Sequence, residues 1–200
     1  MTDIELNHWF PTTIGASYYP NHLKEKDELI KYCYEIKSKT KRGGEGWVSS
    51  ETYNTSDGQL DINHDEKFMG ISNFVVESVK SYLDQVNLKM KLELIDGWLN
   101  IYNKNNYQET HRHNTYVMSC IYFLKAPEKS AGTIFYSPHK EMVISDELYN
   151  NPNYRPSGYL TYRAVEGKLL MFRSHVEHAV ELHKNDEDRI TLAYNFKEAT

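Results

Sequence analysis

Three short segments carry residue types that could do chemistry together: THRH at 110–113, HVEH at 175–178 and DRIT at 188–191. On a strand, residues i and i+2 face the same side, so His111 and His113 point together and can share a metal ion. A third ligand must then come from another strand, and His178, where a strand emerges after MFRSHVE, is best placed to supply it. The pair by itself is weak evidence, because a strand histidine also serves as a satisfied core or surface side chain. His175 and His183 stand at odd separations from His178 and are read as structural, along with His8, His22, His64 and His139.

Arg189 and Thr191 are again i and i+2 on one strand face. A guanidinium beside a hydroxyl, both aimed into a barrel, suits a carboxylate: the fork binds it bidentately and the hydroxyl adds one bond. A buried arginine without a partner is costly, so an inward Arg189 predicts an anionic ligand or an internal acid. The other reading is a surface ion pair with Asp186 or Glu187, which are close in sequence.

These residues need a scaffold. From Lys89 onward the hydrophobic period is two, with strands expected at Lys91–Tyr102, Tyr116–Leu124, Thr133–Tyr136, Gly158–Val165, Lys168–Phe172, Glu177–Leu182 and Arg189–Phe196. No helical pattern interrupts them, so the sheets are antiparallel, and seven short strands after two helices suggest a jelly-roll-type double sheet with helices packed outside. Asn21 caps a helix running to about Lys37, with Leu29, Cys33 and Ile36 on one face. Asp65 opens a second, with Phe68, Ile71, Val75, Val79, Tyr82 and Val86 spaced by three and four. Between them, 41–64 reads as a long polar loop, and 137–157 as a long connection of the kind that often forms a lid.

Length and composition fit this plan. Two hundred residues with 40% hydrophobic and 13% aromatic content suit one domain over 1–200, divided into a helical support and loop at 1–88 and a β core at 89–200. No apolar stretch is long enough to span a membrane, and the opening MTDIELNHWF lacks the features of a signal peptide. Two cysteines cannot form a disulfide scaffold, so a reducing cytoplasm is the expected compartment. A net charge of −5, with no cluster of lysine and arginine, argues against a nucleic-acid partner.

Taken together, the histidine pair, a distal histidine about 65 residues on and an R-x-T eleven residues later resemble the layout of the Fe(II)/2-oxoglutarate-dependent oxygenases on the double-stranded β-helix. The resemblance is to the small branch of bacteria and marine phages related to the prolyl 4-hydroxylase catalytic domain. It covers most of the chain and is strongest in 96–196. HWFPTTIG looks like that branch's start, GWLNIYNKNNYQETHRHN like its W-x-N segment leading to H-x-H, and SCIYFLKAPEKSAGTIFYSP like the strand, turn and G-x-x-x-F-x-x-P that follow. GKLLMFRSHVEHAVELHKNDEDRITLAYNF resembles its F-P-S-x-x-x-H-x-V and R-I-S-x-x-F-N ending.

The resemblance implies Fe(II), 2-oxoglutarate and O2 as cofactors, with His111 and His178 as iron ligands, Arg189 on the distal carboxylate of 2-oxoglutarate, and Thr191 and Tyr102 assisting. Asn100, on the strand face of Tyr102 and Trp98, lines the pocket on this reading; Trp98 is assigned to the core. His113 stands where the superfamily carries a carboxylate, so it either ligates or lines the site while water fills the position. Arg173 replaces the proline of F-P-S and falls on the substrate side. The reaction implied is hydroxylation with conversion of 2-oxoglutarate to succinate, a peptidyl proline being the candidate substrate and a protein or peptide the candidate partner. The polar 41–64 loop and Tyr149, Tyr154, Tyr159 and Tyr162 are candidate clamps on such a chain. Neutral ligating imidazoles predict that iron affinity falls below about pH 6.5. The rival readings are a cupin-type metal dioxygenase without 2-oxoglutarate, and a jelly-roll binding protein without catalysis.

Overall fold

The computed structural model describes residues 12–44, 47, 51–58, 60–138 and 158–199. Its strands in chain order are β1 Ile14–Tyr18, β2 Tyr53–Asn54, β3 Leu92–Tyr102, β4 Gln108–His111, β5 Met118–Lys125, β6 Thr133–Tyr136, β7 Tyr159–Tyr162, β8 Lys168–Arg173, β9 His178–Val180 and β10 Arg189–Glu198. The helices are α1 His22–Lys39 and α2 Met69–Gln85. The larger sheet has the order β1-β8-β5-β10-β3-β2 and the smaller β4-β9-β6-β7, with every pairing antiparallel. From β3 to β10 the chain crosses repeatedly between the two sheets, which is the winding of a double-stranded β-helix.

The larger sheet is covered on both faces, and its alternation sorts side chains between two cores. Leu99, Ile101, Cys120, Tyr122, Leu169, Met171, Ile190, Leu192 and Tyr194 pack with Leu29, Cys33 and Ile36 of α1 and Ile71, Val75 and Val79 of α2. The intervening residues turn toward the smaller sheet. There Phe123, Leu170 and Phe172 meet Phe135 and Val176 in a second cluster, while Trp98, Asn100, Tyr102, Ser119, Arg189 and Thr191 line a pocket. Burying an apolar side chain contributes roughly 1.5–3 kcal/mol, so the second cluster fixes the spacing of the two sheets and the first holds the helices against the larger one.

Several boundaries differ from the sequence reading for visible reasons. The second helix begins at Met69, not Asp65, because the Asp65 carboxylate accepts the Lys67 amide at 2.9 Å and the Tyr32 hydroxyl at 2.6 Å and holds a turn ahead of the helix. The 41–64 stretch is not wholly loop: β2 pairs with β3, and Ile62–His64 forms a 3₁₀ turn capped by Asp61. β1, which carries Gly15, Ala16 and Ser17, is an additional strand on the outer edge beside β8. Gly15 is required there, since a Cβ would lie 2.6 Å from the Tyr82 ring. Both cysteines are buried and free.

Candidate active site

The cluster starts with β4 and β9, which pair so that His111 lies opposite His178. A register irregularity between Gln108 and His111 lets both residues face inward although they are three apart. β4 ends at His111, so His113 is not on the strand, as the i, i+2 reading had it. It occupies the turn that follows, and its amide donates to the Ser174 carbonyl at 2.9 Å. Even so, the three rings converge: centroids are 4.2 Å apart for His111–His178, 5.1 Å for His111–His113 and 5.3 Å for His113–His178. One ligating nitrogen from each lies within 4.8 Å of the others.

The His111 Nδ1 bonds the Glu109 carbonyl at 2.8 Å, and His178 Nδ1 bonds the Val176 carbonyl at 2.9 Å. A carbonyl only accepts, so both Nδ1 atoms carry the proton and both Nε2 lone pairs are free for a metal. Burial favours the neutral form of all three imidazoles: it lowers His111, takes His178 well below the usual histidine range, and, with the repulsion a protonated His111 would exert, brings His113 down to about 4. Three neutral imidazoles on one face are a competent donor set for a divalent transition metal.

β10 brings Arg189 opposite Tyr102 and Thr191 opposite Asn100 on β3. Arg189 is 0% exposed, and none of its three side-chain nitrogens has a hydrogen-bond partner. Its guanidinium lies over the rings of Tyr102 and Phe123, 4.6 and 5.2 Å from their centroids. The acids proposed as surface partners are engaged elsewhere, Asp186 with Lys104 at 2.6 Å and Glu187 with Lys125 at 3.6 Å. Asn100 donates to Thr191 Oγ1 at 3.4 Å, leaving its own buried Oδ1 unpartnered. Burial pushes the Tyr102 phenol up, keeping it protonated, and its hydroxyl donates to Gln108 Oε1 at 3.1 Å. A fully buried guanidinium whose donors meet no protein acceptor suits an organic carboxylate.

His111, His113, His178, Tyr102, Asn100, Arg189 and Thr191 all line one pocket. Arg173 does not. It alternates with Phe172 on β8 and faces α2, where its charge bears on Tyr82. Trp98 lines the pocket with its ring 5.9 Å from that of His113, and so is more than a core residue. His183 is structural, bonded to the Ala131 amide and Glu187 carbonyl, as is His22 against Tyr122. His64 and His175 are exposed, while His8, His139, Tyr149 and Tyr154 lie outside the described residues. Tyr162 packs on Phe135, and Tyr159 is exposed. Gln108 and Asp96 border the site and were not singled out from sequence; Asp96 shares the face of Trp98, so the alternation already contained it.

The family model described as "Putative 2OG-Fe(II) oxygenase" matches residues 96–195, which carry every one of these pocket residues. The chain belongs to that family. No curated protein sequence matches the oxygenase. Among solved structures it is similar to a prolyl-4-hydroxylase of Pseudomonas putida, with 12% identity, a TM-score of 0.60 and 94% of each chain covered. The viral collagen prolyl hydroxylase of Paramecium bursaria Chlorella virus-1, solved with 2OG, shares 14% identity at a TM-score of 0.60, over 94% of this chain and 96% of that one. HygX of Streptomyces hygroscopicus, solved with nickel, 2-oxoglutarate and hygromycin B, shares 10% identity at a TM-score of 0.62, over 93% and 83%. At such identities the likeness is one of fold. The oxygenase uses Fe(II), 2-oxoglutarate and O2, as its family does, and its buried, unpartnered arginine is what a cupin-type site has no need of.

Proposed function

We propose that the oxygenase hydroxylates a peptide, with proline as the candidate residue, at a centre held by His111, His113 and His178. The observation that carries the assignment is Arg189, fully buried and without a hydrogen-bond partner in the pocket that the three histidines line. Bound Fe(II) with 2-oxoglutarate supplies the oxidising chemistry, in which O2 gives one oxygen atom to the substrate and one to succinate as carbon dioxide leaves.

The chain supplies position and charge. Arg189 binds the distal carboxylate of 2-oxoglutarate through its fork, and Thr191 Oγ1 adds a bond from the neighbouring position on the same face. Tyr102 turns its one hydroxyl proton from Gln108 to that carboxylate. The Glu109 and Val176 carbonyls hold two of the ligating rings in the tautomer that presents Nε2. Phe172 and Phe135 pack around His178, with centroids 4.8 and 6.0 Å from its ring, and keep water from that side. A third imidazole in place of a carboxylate leaves the centre one unit more positive, which strengthens its hold on an anionic cosubstrate.

An anaerobic titration with Fe(II) and then 2-oxoglutarate tests the reading through the visible metal-to-ligand charge-transfer band. The band forms in the parent, weakens in Arg189→Ala and vanishes in His178→Ala. A folded, iron-loaded parent without the band overturns the assignment. Proline-containing peptides that gain no oxygen mass under turnover would remove proline as the target residue.

A further inference from the structure

Beside the inner pocket lies an open cleft of about 400 Å³, sharing Trp98, Gln108, His111, His113 and Asn195 with it. The volume suits a side chain or small molecule brought up to the histidines. Its described lining includes three aromatic rings, Trp47, Trp98 and Tyr116, and two carboxylates, Asp61 and Asp96, but no lysine or arginine. Asp61 is committed, accepting the Asn63 amide at 3.0 Å and facing His64 at 3.1 Å. Asp96 is not. Its Oδ2 accepts the Tyr116 hydroxyl, its Oδ1 is shut off from solvent without a hydrogen-bond partner, and no basic side chain among the described residues forms an ion pair with it.

Away from the His111 and His113 end, where a bound metal would place positive charge, the side chains of this wall carry charge of one sign. A half-buried carboxylate with unmet acceptor capacity attracts a cation and repels an anion, and the faces of Trp47 and Trp98 add to the attraction, while that of Tyr116 already carries Lys197 Nζ 5.1 Å from its centroid. Tyr116 stays a neutral donor to Asp96 and does not cancel its charge, since burial and Asp96 push its phenol up to about 12. Asp96 stands two residues before Trp98 on one face of β3, Trp98 packs beside His113, and all three line the same cleft, so a ligand paired with Asp96 occupies the cleft that opens on the histidines. The Trp98 Nε1, also buried and unpartnered, offers a donor to a carbonyl on the same ligand.

We propose that this cleft takes a cationic side chain of a peptide substrate, of lysine or arginine type, with Asp96 as its counter-ion. The inference rests on the oxygenase reading and names the substrate class of the same site. It is tested with Fe(II)- and 2-oxoglutarate-loaded enzyme under argon, titrated calorimetrically with three short peptides that differ only in one residue: lysine, Nε-acetyllysine or glutamate. The lysine peptide binds at least about tenfold more tightly than the acetylated one, and more tightly still than the glutamate peptide. Asp96→Asn, which keeps an acceptor for Tyr116, removes that preference while the charge-transfer band is unchanged, and Asp96→Glu restores it. With the band present, three results each overturn the inference alone: equal binding of the acetylated peptide, no binding of the lysine peptide, or a preference that survives Asp96→Asn. A parent without the band overturns the oxygenase assignment and this inference with it.

Discussion

Arg189 on β10 and Tyr102 on β3 face one another in register, with the guanidinium 4.6 Å from the centre of the phenol ring. The ring supports the cation without consuming a single N–H, so the whole donor fork is available to a ligand. The arrangement carries a cost in the empty protein and a gain in the loaded one.

That trade-off gives opposite signs to two measurements on one variant. Arg189→Met fills much of the same space without a charge, so the apo-protein becomes more stable by about 1–4 kcal/mol in urea unfolding. The same variant loses the stabilisation that 2-oxoglutarate confers on the parent, about 2.7 kcal/mol at a hundredfold excess over Kd. Apo stability that falls instead would show that Arg189 already has an internal partner.

The pH dependence of metal binding differs from the expectation for ordinary histidines. Burial lowers His111 and His178 and takes His113 to about 4, so protons compete with Fe(II) only well below pH 6.5. Affinity measured by anaerobic titration stays level from pH 8 through 6.5, where ordinary histidines would already lose metal, and declines only as pH approaches 4. The apo-protein follows the same window for a related reason. Unfolded histidines take protons near 6.5 while the folded ones do not, so stability contributed at neutral pH drains away as pH falls from about 6.5 toward 4. Urea midpoints at several pH values check the sign.

Removal of the third imidazole separates ligation from lining. His113→Ala lowers Fe(II) affinity at least tenfold, whereas His175→Ala, at an exposed position in the β8–β9 turn, leaves it unchanged. Equal affinity in His113→Ala and the parent would assign that position to water.

Gly132 precedes β6 where a Cβ would lie 2.6 Å from Thr161 Cγ2 and 2.8 Å from the Tyr162 carbonyl oxygen. A backbone oxygen in β7 cannot step aside without breaking the pairing of β6 with β7. Gly132→Ala therefore costs about 1–3 kcal/mol, read as a lowered thermal midpoint with the β6–β7 amides exchanging faster.

The core strands were legible because the larger sheet separates two environments, and alternation along β3, β5, β8 and β10 writes that separation into the sequence. Arg189 and Thr191 are legible from the same parity, Tyr102 from the family resemblance and Asn100 from the strand face it shares with Tyr102. The helix α1 was legible from Leu29, Cys33 and Ile36. Gln108 was not, because the irregularity between it and His111 places residues three apart on one side, which no period of two can express. Arg173 was misplaced for the opposite reason: its motif neighbourhood suggested the pocket, and its parity with Met171 sends it to the helices. β1 was missed because glycine, alanine and serine give an edge strand little apolar signal.

His113 hangs from a turn whose amide is tied to Ser174, in the turn before His178, and takes no part in a strand ladder. Its identity is thereby uncoupled from sheet register. Exchange of imidazole for carboxylate at that one codon changes the charge of the centre while every strand keeps its partner. On the three-histidine reading, the metal's charge is set by a turn while the sheets that bind the cosubstrate keep their shape.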